Sequence, residues 1–245
     1  MSHTFDSLNA NEGEDVVKKF NEADAHAVEA SALAKTQDSG QQGSALESMK
    51  LQFEPLSPEN LAQAKTLCDT VFALEGDAAA RDLESSLLPI DRRPVSDAMY
   101  SEKRYWIVRD SSGKAVGITG MYGLAGDKPE HCWLGWFALM PGLTGHRLGT
   151  QMLDHTMREA GKEGKTDLYV ISSDHPDMAG NAKFYRENRC PIVAVLNNSG
   201  NHISKDGAEL SQPLIRGTRE HYQSFIDQGV NIFIRRRSIE NADRV

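Results

Sequence analysis

The sequence is poor in what a disulfide-built, membrane-spanning or nucleic-acid-coating protein needs. Its 245 residues hold only three cysteines, Cys68, Cys132 and Cys190, widely spaced and odd in number. A disulfide framework or a zinc cluster needs paired or closely spaced thiols, and no CxxC or CxxH pair exists, so no metal site is expected. Buried, reduced thiols of a cytoplasmic protein are the expectation. No apolar run approaches the roughly 18 residues that span a bilayer. The opening MSHTFDSLNANEGEDVV has no apolar core of a signal peptide. Positive charge is scarce as well, with 27 Lys and Arg against 35 Asp and Glu, a net −8. That balance excludes a general nucleic-acid coat, although one local pocket can still be positive.

What is present divides in two. Residues 1–48 are rich in Ala, Ser, Asn, Asp, Glu and Gln, with Phe5 and Phe20 as the only aromatics. Val16 to Lys35 has helical spacing, with Val16, Phe20, Ala23, Ala27 and Ala30 on one side. An alanine stripe offers little burial against the entropy of ordering the chain. A flexible N-terminal extension is therefore expected. The alternative is an arm that docks on a partner or on a second subunit, as in a homodimer. TQDSGQQGS, 36–44, reads as a linker.

From residue 49 to 245 the chain reads as one folded domain. LQFEPL is a strand, and Ser57 caps a helix from Pro58 to about Leu74. A second helix covers about 77–88. RYWIVRD, AVGITGMYGL and HCWLGWFALM (131–140) read as three successive strands. A helix from Leu148, a strand 167–173, a helix 177–188 and a strand 191–196 follow. Residues 197–229 form an insert, loop and then short helix, before a last strand at 230–236. This order predicts a mixed α/β (α+β) fold and not a doubly wound sheet. Alternation along 131–140 predicts that Trp133 and Trp136 face opposite sides, one in the core and one toward an acceptor pocket.

The segment FALMPGLTGHRLGTQML, 137–153, passes from a strand through three glycines into a helix. Such a turn aims backbone N–H groups and a helix dipole at one point, which suits phosphate. It is neither a Walker A loop nor GxGxxG.

The stretch resembles the acetyl-CoA loop of the GNAT superfamily of N-acetyltransferases. Pro141 ends the strand, Thr144-Gly145-His146-Arg147-Leu148-Gly149 follows, and Met152-Leu153 lies in the helix. Thr144 stands where Arg or Gln is usual, and Arg147 where the middle glycine is usual. A second motif agrees: DMAGNAKFYRENRCPIV carries the Phe184-Tyr185 pair of the family. Asn181 and Met178 depart from the family's alanine and asparagine there, and Arg189-Cys190 replaces Gly-Phe.

The resemblance implies a GNAT-like, mostly antiparallel central sheet flanked by helices. It implies transfer of an acetyl group from acetyl-CoA, as co-substrate, to a primary amine in a ternary complex. The acceptor would be a small molecule or a peptide. A non-catalytic acyl-CoA sensor or scaffold with the same fold is the alternative. The strand end Ala138, Leu139 and Met140 would hold the thioester and pantetheine. Thr144, Gly145, His146, Arg147, Leu148, Gly149 and Thr150 would hold the pyrophosphate, and Asn181 would reach the pantetheine arm. Tyr185 would act as general acid. The base would be a carboxylate or imidazole, with Glu130, His131, Asp174 and His175 as the candidates, or simply a water chain. His202, Arg216, Arg219, His221 and Tyr222 in the insert are candidates for acceptor recognition, with a surface elaboration as the alternative.

Overall fold

A computed structural model describes residues 10–35, 49–73, 76–144, 146–176 and 179–239, with side chains described only for 13–25 within the first segment. The chain forms two compact units, residues 39–168 with 238–245, and residues 1–38 with 169–237. Each is taken by itself.

The first unit is built on an antiparallel ladder. Strands β1 (Gln52–Pro55), β2 (Tyr100–Arg109) and β3 (Ala115–Leu124) pair in that order. Phe53 faces Val108, and Tyr105 faces Gly120. One side of the ladder is covered by α2 (Leu61–Val71) and α3 (Ala78–Ser86), which bury Leu67, Cys68, Ala79 and Leu83 against Tyr105, Ile107 and Ile118. Helix α2 starts later than the Ser57 cap predicts, and the cap position is Asn60. Its side chain is drawn back to the preceding turn: Oδ1 accepts from the Ser57 amide at 2.8 Å, and Nδ2 donates to the Pro55 carbonyl at 3.0 Å.

The other side carries α4 (Leu148–Lys162), which buries Leu148, Met152, Leu153 and Thr156. Thr156 meets Thr119 of β3 hydroxyl to hydroxyl at 2.6 Å, so neither polar group is buried alone. His155 stacks on Phe53, with ring centroids 3.8 Å apart, and meets Trp106 edge to face at 5.3 Å.

The strand expected over 131–140 is broken. β4 (His131–Leu134) and β5 (Ala138–Leu139) both pair with β3. Leu134 faces Met121 and Ala138 faces Ile118, so Gly135, Trp136 and Phe137 stand opposite only Thr119 and Gly120. This is a one-residue bulge, and it reverses the in/out parity along the strand. Tyr105 shows what permits it. Its ring lies across Gly120 and Gly135, where an added Cβ on Gly135 would come within 2.8 Å of its Cε1.

The second unit holds α1 (Ala10–Lys35), most of β6 (Asp167–Ser173), α5 (Ala179–Glu187), β7 (Ile192–Asn197), β8 (Gly200–Ile203), α6 (Gln212–His221), α7 (Gln223–Asp227) and most of β9 (Ile232–Ser238). β7 lies between β8 and β9, antiparallel to both. The insert is thus a β7–β8 hairpin followed by two helices, where a loop and one helix were expected. Arg219 of α6 donates to the Gly200 and Asn197 carbonyls and to Asn201 Oδ1, and pins that hairpin.

Over residues 13–25 the extension departs from a mobile tail, for it is a helix seated on its own chain. Val17 and Phe20 pack on Ile192, Val195 and Phe233. Asn21 makes two bonds to the backbone of Ile192, both 2.9 Å. Glu14 accepts from the Lys205 amide at 2.7 Å. The apolar stripe is as thin as the sequence shows, and polar contacts that periodicity does not weigh complete the seat. Residues 1–9 and the linker 36–48 lie outside the described residues.

Burial lowers the His155 pKa from 6.5 to about 4, with nearby Arg158 and Lys162 acting in the same direction and Glu159 against. The folded state keeps His155 neutral where the unfolded chain is protonated. Stability from this group is therefore complete above pH 6.5 and is lost as pH falls toward 4, at up to about 1.4 kcal/mol per pH unit. Urea titrations across that window should show a shallower loss in His155→Phe than in the parent protein.

Candidate active site

The bulge sets the geometry of the strand end. Met140 N donates to Val116 O at 2.8 Å, so Met140 is bonded into the ladder. Antiparallel ladders alternate bonded and non-bonded pairs, so Leu139, opposite Gly117, turns its N–H and C=O away from β3. β5 pairs with β3 alone among the described strands. The Leu139 amide therefore points out of an unpaired edge, within a half-buried segment, Gly135–Met140. Ala138 and Met140 flank it.

The chain then turns at Pro141 and Gly142, which has φ +86°. Thr144 and Arg147 are exposed, His146, Gly149 and Thr150 are half-buried, and Leu148 is fully buried as the root of α4. Gly145 lies outside the described residues. Arg147 sits at the cap of α4 with φ +58° and makes no side-chain capping bond. Among the described residues no capping side chain takes up the first amides of this 15-residue helix, which leaves its positive end available to an anion. The left-handed φ explains why a glycine suits this position, since Arg147 holds there a conformation that strains a residue with a Cβ.

Sequence reasoning missed the cluster below the bulge. Asp82 of α3 receives the Tyr105 hydroxyl, the Trp136 indole N–H at 2.9 Å and the Lys103 ammonium. Lys103 is fully buried, binds Asp97 at 2.7 Å, and lies 4.0 Å from the Tyr100 ring centroid. Burial, and then the Asp82 charge, raise the Tyr105 hydroxyl well above its ordinary pKa, so it stays a donor. Burial pulls the Asp97 carboxyl up, but Lys103, Ser85 and Arg93 together hold it below the usual carboxylate range.

The same cluster corrects the tryptophans. Lys103 faces Tyr122, Tyr122 faces Trp133, and Trp136 joins Lys103 and Tyr105 at Asp82. Trp133 and Trp136 therefore share one face, because the bulge inserts a residue between them. Trp133 is buried, its ring near-parallel to Tyr122 at 6.4 Å, and Trp136 is half-buried against Phe72. A glycine beside a tryptophan in a strand pattern was the available signal for a bulge.

Glu130 is not brought to the strand end. It precedes β4, its carbonyl accepts from the Thr166 amide, and the rise of a strand puts it roughly 25 Å from Leu139. The other base candidates are occupied or buried. His131 is buried, Asp174 binds the Asn231 amide and side chain, and His175 packs edge to face on Phe225. In the second unit, Asn181 is exposed on α5 and Tyr185 is buried. Burial raises the Tyr185 hydroxyl above its ordinary pKa, which keeps it protonated at neutral pH. Met178 lies outside the described residues. Of the insert candidates, Arg219 is spent on the hairpin and His202 meets Ser199 at 2.9 Å. Among the described residues no three His, Cys, Asp or Glu side chains are placed to hold a metal ion, and no helix is long and apolar enough to cross a membrane.

An antiparallel ladder with a broken strand, an open amide edge and an uncapped helix start is a fold with known counterparts. A putative GNAT-family acetyltransferase from Desulfovibrio desulfuricans superposes with a TM-score of 0.54 at 13% identity, over 79% of this chain and 100% of that one. An aminoglycoside 6'-acetyltransferase type Ii gives 0.52 at 17%, over 78% and 98%. An aminoglycoside 6'-N-acetyltransferase complexed with coenzyme A gives 0.50 at 16%, over 78% and 98%. No curated protein matches the chain significantly by sequence. The class is thus the GNAT fold, mixed α/β with mostly antiparallel pairing and flanking helices. The sequence model of the Acetyltransferase (GNAT) family matches residues 75–189.

Replacing Arg147 by glycine separates strain from charge. Arg147→Gly should raise the unfolding free energy by about 1 kcal/mol, because the left-handed cap is relieved. If the loop holds the acetyl-CoA pyrophosphate as the resemblance implies, the same substitution should weaken acetyl-CoA binding by removing a cation from it. Thermal melts with and without acetyl-CoA read both effects.

Proposed function

We propose that this protein is an N-acetyltransferase that moves the acetyl group of acetyl-CoA to a primary amine by direct transfer in a ternary complex. The observation that carries the reading is the Leu139 amide, turned out of an unpaired strand edge, followed within ten residues by an uncapped helix start. In this reading the Leu139 N–H polarises the thioester carbonyl as an oxyanion-hole donor, and Ala138 and Met140 align the pantetheine. Thr144, Gly145, His146, Arg147, Leu148, Gly149 and Thr150 hold the pyrophosphate on main-chain amides and the helix dipole. Asn181 is the proposed contact to the pantetheine arm. The similar enzyme solved in complex with coenzyme A supports the co-substrate, and the two similar aminoglycoside acetyltransferases support an amine acceptor.

The chemistry balances simply. The neutral amine attacks the carbonyl carbon, a C–N bond forms, the C–S bond breaks, and the thiolate takes up a proton. Tyr185 is the proposed donor of that proton, on the strength of the Phe184-Tyr185 motif and a hydroxyl that burial keeps protonated. Glu130 is dropped from the base role by its place at the far end of the strand. A water that carries the amine's proton to solvent meets the need without a dedicated carboxylate.

The absence of a carboxylate assigned to the base favours one second reading, an acyl-CoA-binding module without turnover. Thiol detection separates the two. Acetyl-CoA should raise the melting temperature, and a panel of small amines and peptides should include acceptors that release free thiol. Tyr185→Phe should lower kcat at least tenfold across neutral and mildly alkaline pH, where burial keeps the Tyr185 hydroxyl protonated, with coenzyme A affinity retained. Tight coenzyme A binding with no thiol release from any amine would select the second reading.

A further inference from the structure

The second unit contains a cavity that the acetyltransferase reading does not use. It has a volume of about 160 Å³ and is lined by Asn21, Asp24 and Ala25 of α1, Arg186 of α5, Arg189, Cys190 and Pro191 of the following turn, and Arg235 of β9. Three guanidinium groups meet there with one carboxylate.

Each arginine is held differently. Arg235 is fully buried; its Nε donates to Ser172 Oγ at 2.9 Å, its Nη1 donates to the Cys190 carbonyl at 3.1 Å, and its Nη2 lies 2.8 Å from Asp24 Oδ2. Arg186 donates from Nη1 to Asp24 Oδ1 at 3.1 Å, while its buried Nε has no acceptor among the described residues. Arg189, at the exposed rim, has no acceptor or ion-pair partner among the described residues. Asp24 is therefore shared by two cations and a third has none. The Cys190 thiol does not correct the balance, because burial pushes its pKa up to about 11 and leaves it neutral. One surplus positive charge remains in the recess and a second, on Arg189, at its exposed rim, in a chain whose net charge is −8.

Buried cations are costly unless paired, and guanidinium forks match the oxygens of phosphate in two-point contacts. A dianion would balance the two surplus charges and give the Arg186 Nε an acceptor. We propose that this cavity is an anion site for a phosphate group, free or as the terminal phosphomonoester of a small metabolite, held by Arg186, Arg189 and Arg235. Because Asp24 and Asn21 belong to α1, the anion locks α1 onto α5 and β9. The site is then a second ligand site, and its occupancy sets how firmly the N-terminal helix is seated. It stands whether or not the acetyltransferase reading holds.

The test uses the full chain with inorganic phosphate and, separately, glycerol phosphate, each against chloride at constant ionic strength and pH. Amide hydrogen exchange is read over residues 15–25. Either phosphate compound should slow exchange there at least fivefold, with saturation. Protection by both identifies a mouth open to phosphomonoesters, and protection by inorganic phosphate alone identifies free phosphate. Arg189→Gln, an exposed change, should raise the apparent Kd at least tenfold while exchange in β7 stays as slow as in the parent protein. No protection of 15–25 by either compound, or equal Kd values in the parent and Arg189→Gln, would overturn the proposal. Phosphate bound at the glycine loop does not mimic the result, because the readout is confined to α1.

Discussion

One extra residue between Leu134 and Ala138 controls the rest of the first unit. The β3 ladder accepts only two residues where β4 and β5 supply three, so pairing lapses and resumes with the opposite parity. The lapse has three consequences. Trp136 is turned onto the same face as Trp133, where its N–H reaches Asp82. The Leu139 amide is turned out of an edge that no described strand covers. The chain leaves β5 so that Gly142 and Arg147, both with left-handed φ, can feed it into α4. Sheet proteins ordinarily cover or blunt such an edge. Here no described strand covers it, and a helix start without a side-chain cap follows, the arrangement on which the proposed acyl-CoA reading rests.

Support for the bulge comes from groups far apart in sequence. Gly120 and Gly135 make room for the Tyr105 ring, and Asp82 collects the donors of Tyr105, Trp136 and Lys103. A buried ammonium with two carboxylates is not by itself strong evidence of stability, since desolvation offsets much of the attraction. Its value lies in direction: removing Asp82 would leave Lys103 short of a partner and free the Trp136 indole to move. The cluster is best understood as what holds the strand break in one shape.

The larger part of the fold was legible in the sequence. Strand β3 was read to the residue, and α4 and β6 nearly so, because their periodicity is clean and Gly and polar turns bound them. The glycine loop and Phe184-Tyr185 were legible as motifs. Three things were not. Alternation assumes an unbroken ladder, so it sent Trp133 and Trp136 to opposite faces. Glu130 was a base candidate because it lies at the start of the strand before the loop, and the length of that strand carries its carboxylate away from the reacting end. The N-terminal helix was weighed on apolar area alone, whereas Asn21 and Asp24 seat it through bonds that depend on partners some 160 residues away. Asp82 carried no local signal, since its meaning arises only where α3 crosses the β2–β3 ladder.

The central claim is that the strand break frees one amide, Leu139 N–H, for the acyl donor. Residue-resolved amide exchange with and without acetyl-CoA measures this most directly. The Leu139 amide should exchange fast in the free protein and become protected on addition of acetyl-CoA, while Met140, already bonded to Val116, is slow in both states. A Leu139 amide that is protected without ligand, or one that acetyl-CoA leaves unprotected at saturation, would contradict the account.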